Sequence, residues 1–409
     1  MLRTLKEASF RTYQRVMKAT ASLLPYPVPG LLTGPGSVAQ LAENISVRGL
    51  KHVLVVTDKG LMSIDLPKGF LASLSERGIA YTVFDDVQPN PTIENIEHGV
   101  YAYRNHRCDA IVAFGGGSPM DCAKAIGARL GNPFLSVRQM EGLFRVLLPI
   151  PPFFCVPTTA GTGSECTIVA VITNTASHRK FVITDLKLMP KLAVLDPELM
   201  AGLPPHITAA TGMDALTHAV EAYIGLSGTA FTDDNAERAV RLIFANLEEC
   251  YRNGANLEAR YQMSLASYCA GMAFTRAYIG YVHAIAHNMG GLYGVPHGQA
   301  NAIILPHVLK FSRVEAAPKL ASLARLVDLG DSGDSGAPGA SDEALATAFI
   351  EAIEQMNERM GIPTTIAELQ ASDIPMIAER ALAEAHPDYP VPRFMNRQEC
   401  TDLLTALLP

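Results

Sequence analysis

The chain has 409 residues, 48% of them hydrophobic and 18% charged, with a formal net charge of −7. That length exceeds one ordinary core and predicts two domains. The acidic balance, with no basic stripe, argues against nucleic-acid binding, and no uninterrupted apolar run reaches the roughly 18–20 residues of a membrane span. The seven cysteines are odd in number and show no C-x-x-C spacing. They argue against a disulfide framework or zinc ribbon and for a reducing, cytoplasmic compartment.

Residues 1–24, "MLRTLKEASFRTYQRVMKATASLL", carry five basic groups (Arg3, Lys6, Arg11, Arg15, Lys18) against Glu7 alone. A transit peptide and an N-terminal surface helix both fit this amphipathic stretch, and the surface helix is the reading adopted. Six apolar runs then read as strands: His52–Thr57, Ala80–Phe84, Asp109–Phe114, Phe153–Pro157, Thr167–Thr173 and Leu192–Asp196. Amphipathic segments at Gly36–Ile45, Gly69–Gly78 and Met120–Leu130 fall between them. The alternation predicts a sheet covered on both faces and largely parallel at its centre. After about Pro205 helical spacing dominates, as in "EALATAFIEAIEQMNERMG". The expected boundaries are an α/β dinucleotide-binding domain over 1–204, with a helical extension at 1–24, and an all-helical domain over 205–409. "GDSGDSGAPGASD" (Gly330–Asp342) reads as a surface loop inside the second.

"DAIVAFGGGSPMDCAKAIG" puts three glycines between a strand and a helix. Ser118 is expected to cap that helix, with Pro119 at its first position and Asp121 at its third. Free N–H groups at such an end favour a pyrophosphate, although a plain tight turn explains the glycines equally well. "VPTTAGTGSE" then groups Thr158, Thr159, Thr162 and Ser164 around two glycines after another strand. Two such loops in one sheet point to a nucleotide crevice. Asp58 ends its strand, where a carboxylate suits ribose hydroxyls and disfavours a 2′-phosphate, favouring NAD over NADP; a helix cap is the alternative.

In "TGMDALTHAVEAYIG", Asp214 and His218 are four apart and share a helix face. His283 and His287 repeat that spacing in "YVHAIAHNM", and His297 follows "GGLYGVP", which ends one helix and starts another. One carboxylate with imidazoles suits ferrous iron, zinc, nickel or manganese. Five candidates exceed the four ligands expected. His307 is read as structural, as are His52, His98, His106, His178, His206 and His386, which lack comparable neighbours.

From about Gly30 to Pro409 the chain resembles the iron-containing (group III) alcohol dehydrogenases. "VVTDKGL", "QPNPT", "AFGGGSPMDCAKAIG", "PTTAGTGSE", "LDPELM", "TGMDALTHAVEAY" and "HAIAHNMGGLYGVPHGQANAIILPH" carry the resemblance. It implies the dehydroquinate synthase-like architecture, with an N-terminal nucleotide-binding α/β domain, a C-terminal helical domain, and the nicotinamide and metal in a cleft between them. It implies Asp214, His218, His283 and His297 as metal ligands, with iron the expected metal and zinc the second choice. His287 is then the extra histidine, free to carry a proton, as an imidazole titrates near neutrality. The implied cofactor contacts are Asp58, Asn90, Gly116, Gly117, Ser118, Asp121, Thr158, Thr159, Thr167, Lys180 and Leu199. Val169 lines the nicotinamide pocket and Phe274 flanks the substrate.

The resemblance thus implies hydride transfer between a small alcohol or aldehyde and the nicotinamide, in a homodimer. A lyase of the dehydroquinate-synthase kind, or a polyol dehydrogenase, is the alternative on the same fold. Two features depart from the family: the long basic N-terminal helix, and "VPR" (Val391–Arg393) where the family often has "NPR".

Overall fold

The computed structural model describes residues 2–175, 179–329 and 339–409; His178 and most of the Gly330–Asp342 loop lie outside them. The chain divides into two compact units. One comprises Tyr26–Leu203 and Gly254–Tyr268; the other comprises the residues up to Pro25, Pro204–Asn253 and Cys269–Pro409. A single cut at 204/205 therefore misassigns two segments. Arg260 is the reason for one of them, because its guanidinium donates to Gly254 O and Leu203 O. The N-terminal helix, Leu2–Ala21, is bonded instead to backbone carbonyls near residues 226–228 and 387–392.

In the α/β unit the strands are β1 (Gly30–Thr33), β2 (His52–Val56), β3 (Ala80–Phe84), β4 (Ala110–Gly115), β5 (Gly142–Leu143), β6 (Phe153–Pro157), β7 (Val169–Asn174), β8 (Arg179–Thr184) and β9 (Leu192–Leu195). Six form an all-parallel sheet in the order β1-β9-β6-β4-β2-β3. Period-2 side-chain alternation sorts its core. Leu54, Val56, Ile111, Ala113, Phe153 and Cys155 pack on one face with Ile96, Val100, Met120 and Ile126 from the helices Ile93–Asn105 and Gly117–Gly131. Val53, Val55, Val112, Phe114, Phe154 and Val156 pack on the other with Leu41, Ile45, Phe70 and Leu74. Both faces are buried, which explains why these strands are continuously apolar.

Of the six expected strands, five join this sheet. The sixth, β7, pairs antiparallel with β8 in a separate sheet of order β5-β8-β7. Between β2 and β4 the strand order reverses, since β2 leads outward to β3 and the chain then returns to β4 on the opposite side.

The second unit is helical; among the described residues no strand follows β9. Its site-bearing helices are Pro205–Ile224, Tyr281–Tyr293, His297–Leu326 and Ile374–Ala385. Gly294 (φ 71°) ends the second of these, and Pro296 immediately precedes the third, as the glycine-rich break predicts. Small residues set the packing distances. A Cβ at Gly212 would lie 2.2 Å from Leu247 Cδ1 on the helix Ala230–Arg252.

Candidate metal and cofactor sites

Within the helical unit, Asp214, His283 and His297 bring one ligand atom each within 4.8 Å of the others. Asp214 Oδ1 is 3.8 Å from His283 Nε2 and 3.7 Å from His297 Nε2. Glu221 prepares this set. Its Oε2 accepts from Gly280 N and lies 2.6 Å from His283 Nδ1, and its Oε1 accepts from Val282 N. With Nδ1 engaged there, His283 presents Nε2 to the cluster. Burial, then the neighbouring His218, His297 and His287, hold the His283 imidazole well below its ordinary range, so it is neutral and able to ligate. Burial also pushes the Glu221 carboxyl up to about 8, against the bonds from Gly280 and Val282.

Asn301 closes the cluster. Its Nδ2 donates to Asp214 Oδ1 at 2.6 Å and lies 3.2 Å from both His283 Nε2 and His297 Nε2. Three acceptors thus converge on one small point, which is the donor chemistry a divalent metal requires. The residues present therefore fit the implied metal. His218 is buried one turn after Asp214, its ring stacked 4.1 Å from Phe274 and 4.5 Å from His283, and it is not among the three converging residues. Phe274 thus lies at the edge of the cluster.

His287 lies beside the cluster, its ring 5.4 Å from that of His297. Its Nδ1 is 2.7 Å from Glu384 Oε1, which also accepts from the Tyr389 hydroxyl at 2.8 Å. Burial raises the Glu384 carboxyl, but the charge and bond of His287 and the Tyr389 bond outweigh it, leaving it below its usual range. Glu384 therefore remains a carboxylate that fixes the His287 ring. His307 stands apart from the ligand group.

In the α/β unit the glycine turn follows β4 and Asp58 follows β2, the two neighbours at the order reversal. Ligands bind at such switch points, outside the carboxyl ends of the strands. The capping expectation needs correction. Gly116, not Ser118, is the N-cap of Gly117–Gly131, and Ser118 Oγ instead accepts from Asn90 N. The chain leaves β4 through Gly115 at φ 152° and so enters the helix earlier than the serine suggests. The threonine loop backs this turn: Cβ atoms at Gly116 and Gly117 would lie 3.3 Å from Thr159 Oγ1 and 2.8 Å from Thr162 Cγ2. Thr158 N bonds Gly115 O.

Asn90 Oδ1 accepts from Lys180 Nζ at 2.7 Å. Asp58 caps its helix, with Oδ1 accepting from Leu61 N. Leu199 packs against the core of the sheet. Asp121 is turned inward, accepting from Ser164 Oγ and Val171 N. Beside it Lys124 is fully buried, its ammonium bonded to Ser164 Oγ, Thr167 Oγ1 and Val169 O.

The sequence reading passes over Lys124, Glu221, Asn301 and Glu384. Glu221 follows Asp214 by seven and His218 by three, and Asn301 follows His297 by four, so face spacing could have found both. Glu384 meets His287 across 97 residues, and no local signal marks it.

A doubly covered parallel sheet with a glycine turn at its switch point, and a helical unit holding an Asp–His–His donor cluster, fit the class of metal-dependent oxidoreductases. Residues 29–197 match the model of the iron-containing alcohol dehydrogenases, and 208–408 match that of the C-terminal region of the Fe-containing alcohol dehydrogenase family. The chain is 42% identical over 382 residues to 1,3-propanediol dehydrogenase of Klebsiella pneumoniae, covering 92% of this chain and 97% of that one. It is 38% identical over 358 residues to the NAD-dependent methanol dehydrogenase of Bacillus methanolicus, covering 87% and 92%. A crystal structure of 1,3-propanediol oxidoreductase superposes with a TM-score of 0.88 at 40% identity, over 94% of this chain and 99% of that one. The chain belongs to the iron-containing alcohol dehydrogenase family. It is a metal-dependent alcohol and aldehyde oxidoreductase, and the lyase alternative is not favoured.

Proposed function

We propose that this protein oxidises a small aliphatic alcohol with NAD, or reduces the matching aldehyde, using iron held by Asp214, His218, His283 and His297. The convergence of Asp214, His283 and His297 carries the reading. The NAD dependence in the name of the methanol dehydrogenase relative supports the cofactor. Asp58 supports NAD over NADP, because a carboxylate at that strand end repels a 2′-phosphate. Gly116, Gly117, Ser118, Thr158 and Thr159 receive the pyrophosphate at the helix start, while Asn90, Asp121, Thr167, Val169, Lys180 and Leu199 shape the remaining cofactor surface.

A metal held by Asp214, His218, His283 and His297 would supply Lewis-acid polarisation of the alcohol oxygen, and NAD at the glycine turn would supply the hydride acceptor. Glu221 and Glu384 orient their histidines by holding Nδ1. His287, tied at Nδ1, takes the alcohol proton at Nε2 and passes it outward, its side chain being 20% exposed. Phe274, stacked on His218, gives an apolar wall to the substrate carbon. The protein works as a cytoplasmic homodimer. Its seven cysteines are buried thiols outside any disulfide, which supports the reducing compartment, and the dimer rests on the family resemblance.

A panel of alcohols and aldehydes with NAD and NADP, on protein loaded separately with ferrous iron and zinc, tests the reading. NADH formation with a short alcohol is expected. His297→Ala should lose both metal and activity, whereas His287→Ala should keep its metal and lose rate by roughly 10²–10⁴-fold. Full metal content in His297→Ala would refute the ligand set.

A further inference from the structure

We propose that the N-terminal helix Leu2–Ala21 is a positioning element for His287, acting through the segment His386–Phe394. It lies before residue 29, where the family match begins. The segment it grips contains "VPR", the second departure from the family pattern.

The grip is made of directional bonds to the backbone. Gln14 is buried, 6% exposed, and its Nε2 donates to Pro387 O at 2.8 Å and Tyr389 O at 2.9 Å. Its Oε1 accepts from Arg11 Nη1 at 2.9 Å, so the amide is fully used. The Arg11 guanidinium also donates to Val391 O at 2.7 Å and Pro392 O at 3.0 Å, and lies 4.0 Å from the centre of the Phe394 ring. The Tyr13 hydroxyl donates to Asp388 Oδ1 at 2.8 Å. Farther along, Lys18 Nζ bonds Leu226 O and Gly228 O, and Leu226 N bonds Pro390 O, so both ends of the contact are tied to the same segment.

Apolar contact is confined to Phe10, whose ring lies 5.4 Å from that of His386 and 5.7 Å from that of Phe394, while Leu5 and Val16 stay 61% and 58% exposed. Bonds to successive carbonyls fix the path of a chain segment more than they add apolar area. The carbonyls taken belong to Pro387, Tyr389, Val391 and Pro392, on both sides of Tyr389. The Tyr389 side chain reaches back to Glu384 Oε1, the oxygen that holds His287 Nδ1. Gln14, Tyr389, Glu384 and His287 thus form one connected path. The helix thereby holds the tyrosine that braces the carboxylate. Gln14 and Arg11 touch neither substrate nor metal ligand, and they act as positioning residues.

The inference rests on His287 as the proton carrier. Gln14→Ala in the full-length, metal-loaded enzyme should lower kcat roughly threefold to tenfold, with metal content and the KM for NAD unchanged. In a Glu384→Ala background the same change should lower kcat no further, because the path is already cut. Arg11→Lys, which keeps the charge but not the two-carbonyl fork, should behave alike and serves if Gln14→Ala folds poorly. If the losses multiply in the Glu384→Ala background, or Gln14→Ala leaves kcat intact, the helix does not act on His287. If His287→Ala itself leaves the rate unchanged, the proton-carrier reading is what fails.

Discussion

A Cβ on Gly298 would meet Ala210 O at 2.3 Å and Asp214 Cβ at 3.4 Å. The first turn after His297 therefore lies directly against the helix that carries Asp214, and two proposed ligands distant in sequence share one point. A backbone carbonyl cannot move aside as a side-chain tip can. Gly298→Ala should cost about 1–3 kcal/mol of stability in urea unfolding. It should also weaken metal binding, read by chelator competition, because it pushes His297 from Asp214; a destabilised variant with unaltered affinity would disprove that link. At this scale the sequence yields the residue types and the i,i+4 pairs, since helical periodicity is local. It does not yield Glu384, whose partner arrives from another helix, nor the inward turn of Asp121 toward Ser164 and Val171.

Among elements, strands buried on both faces are legible within a residue or two, as Ala110–Gly115 and Phe153–Pro157 illustrate. The strands β1, β5 and β8 escape notice. Two of them are short, and "RKFVIT" begins with two cations and reads as surface. The loop after β6 carries its own titration. Glu165 is buried, and its Oε2 has no hydrogen-bond partner among the described residues. Burial pushes this carboxyl up to about 7 from an unfolded 4.5, opposed by its own backbone bond and Lys124. A raised carboxyl supports folding fully below pH 4.5, and that share is lost as pH rises through 7. The share is on the order of 3 kcal/mol. Glu165→Gln should thus gain stability over the wild type at pH 8 and show little difference at pH 4. Denaturant midpoints at the two pH values provide the check, and equal differences at both would contradict it.

For the whole molecule, the proposed metal donors all fall in the helical unit and the glycine and threonine loops all in the α/β unit. Chelating the metal should therefore lower the melting temperature and raise amide exchange in Pro205–Ile224, Tyr281–Tyr293 and the start of His297–Leu326, while the six-stranded sheet stays protected. Readdition at about 100 times Kd should restore roughly 2.7 kcal/mol. Exchange rising equally in β2 and β4 would show that the metal does not stabilise the helical unit on its own.

Local chemistry determined much of this protein: continuous apolar runs between amphipathic segments set the parallel sheet, glycine turns set the loops at its strand ends, and paired Asp and His positions set the donor faces. Each is decided by neighbours within one turn or one strand. Tertiary structure alone decided that β7 leaves the main sheet, that Glu384 holds His287, and that the N-terminal helix joins the helical unit. Those outcomes depend on bonds between residues far apart in the chain, such as Gln14 to Tyr389, and no local periodicity encodes them.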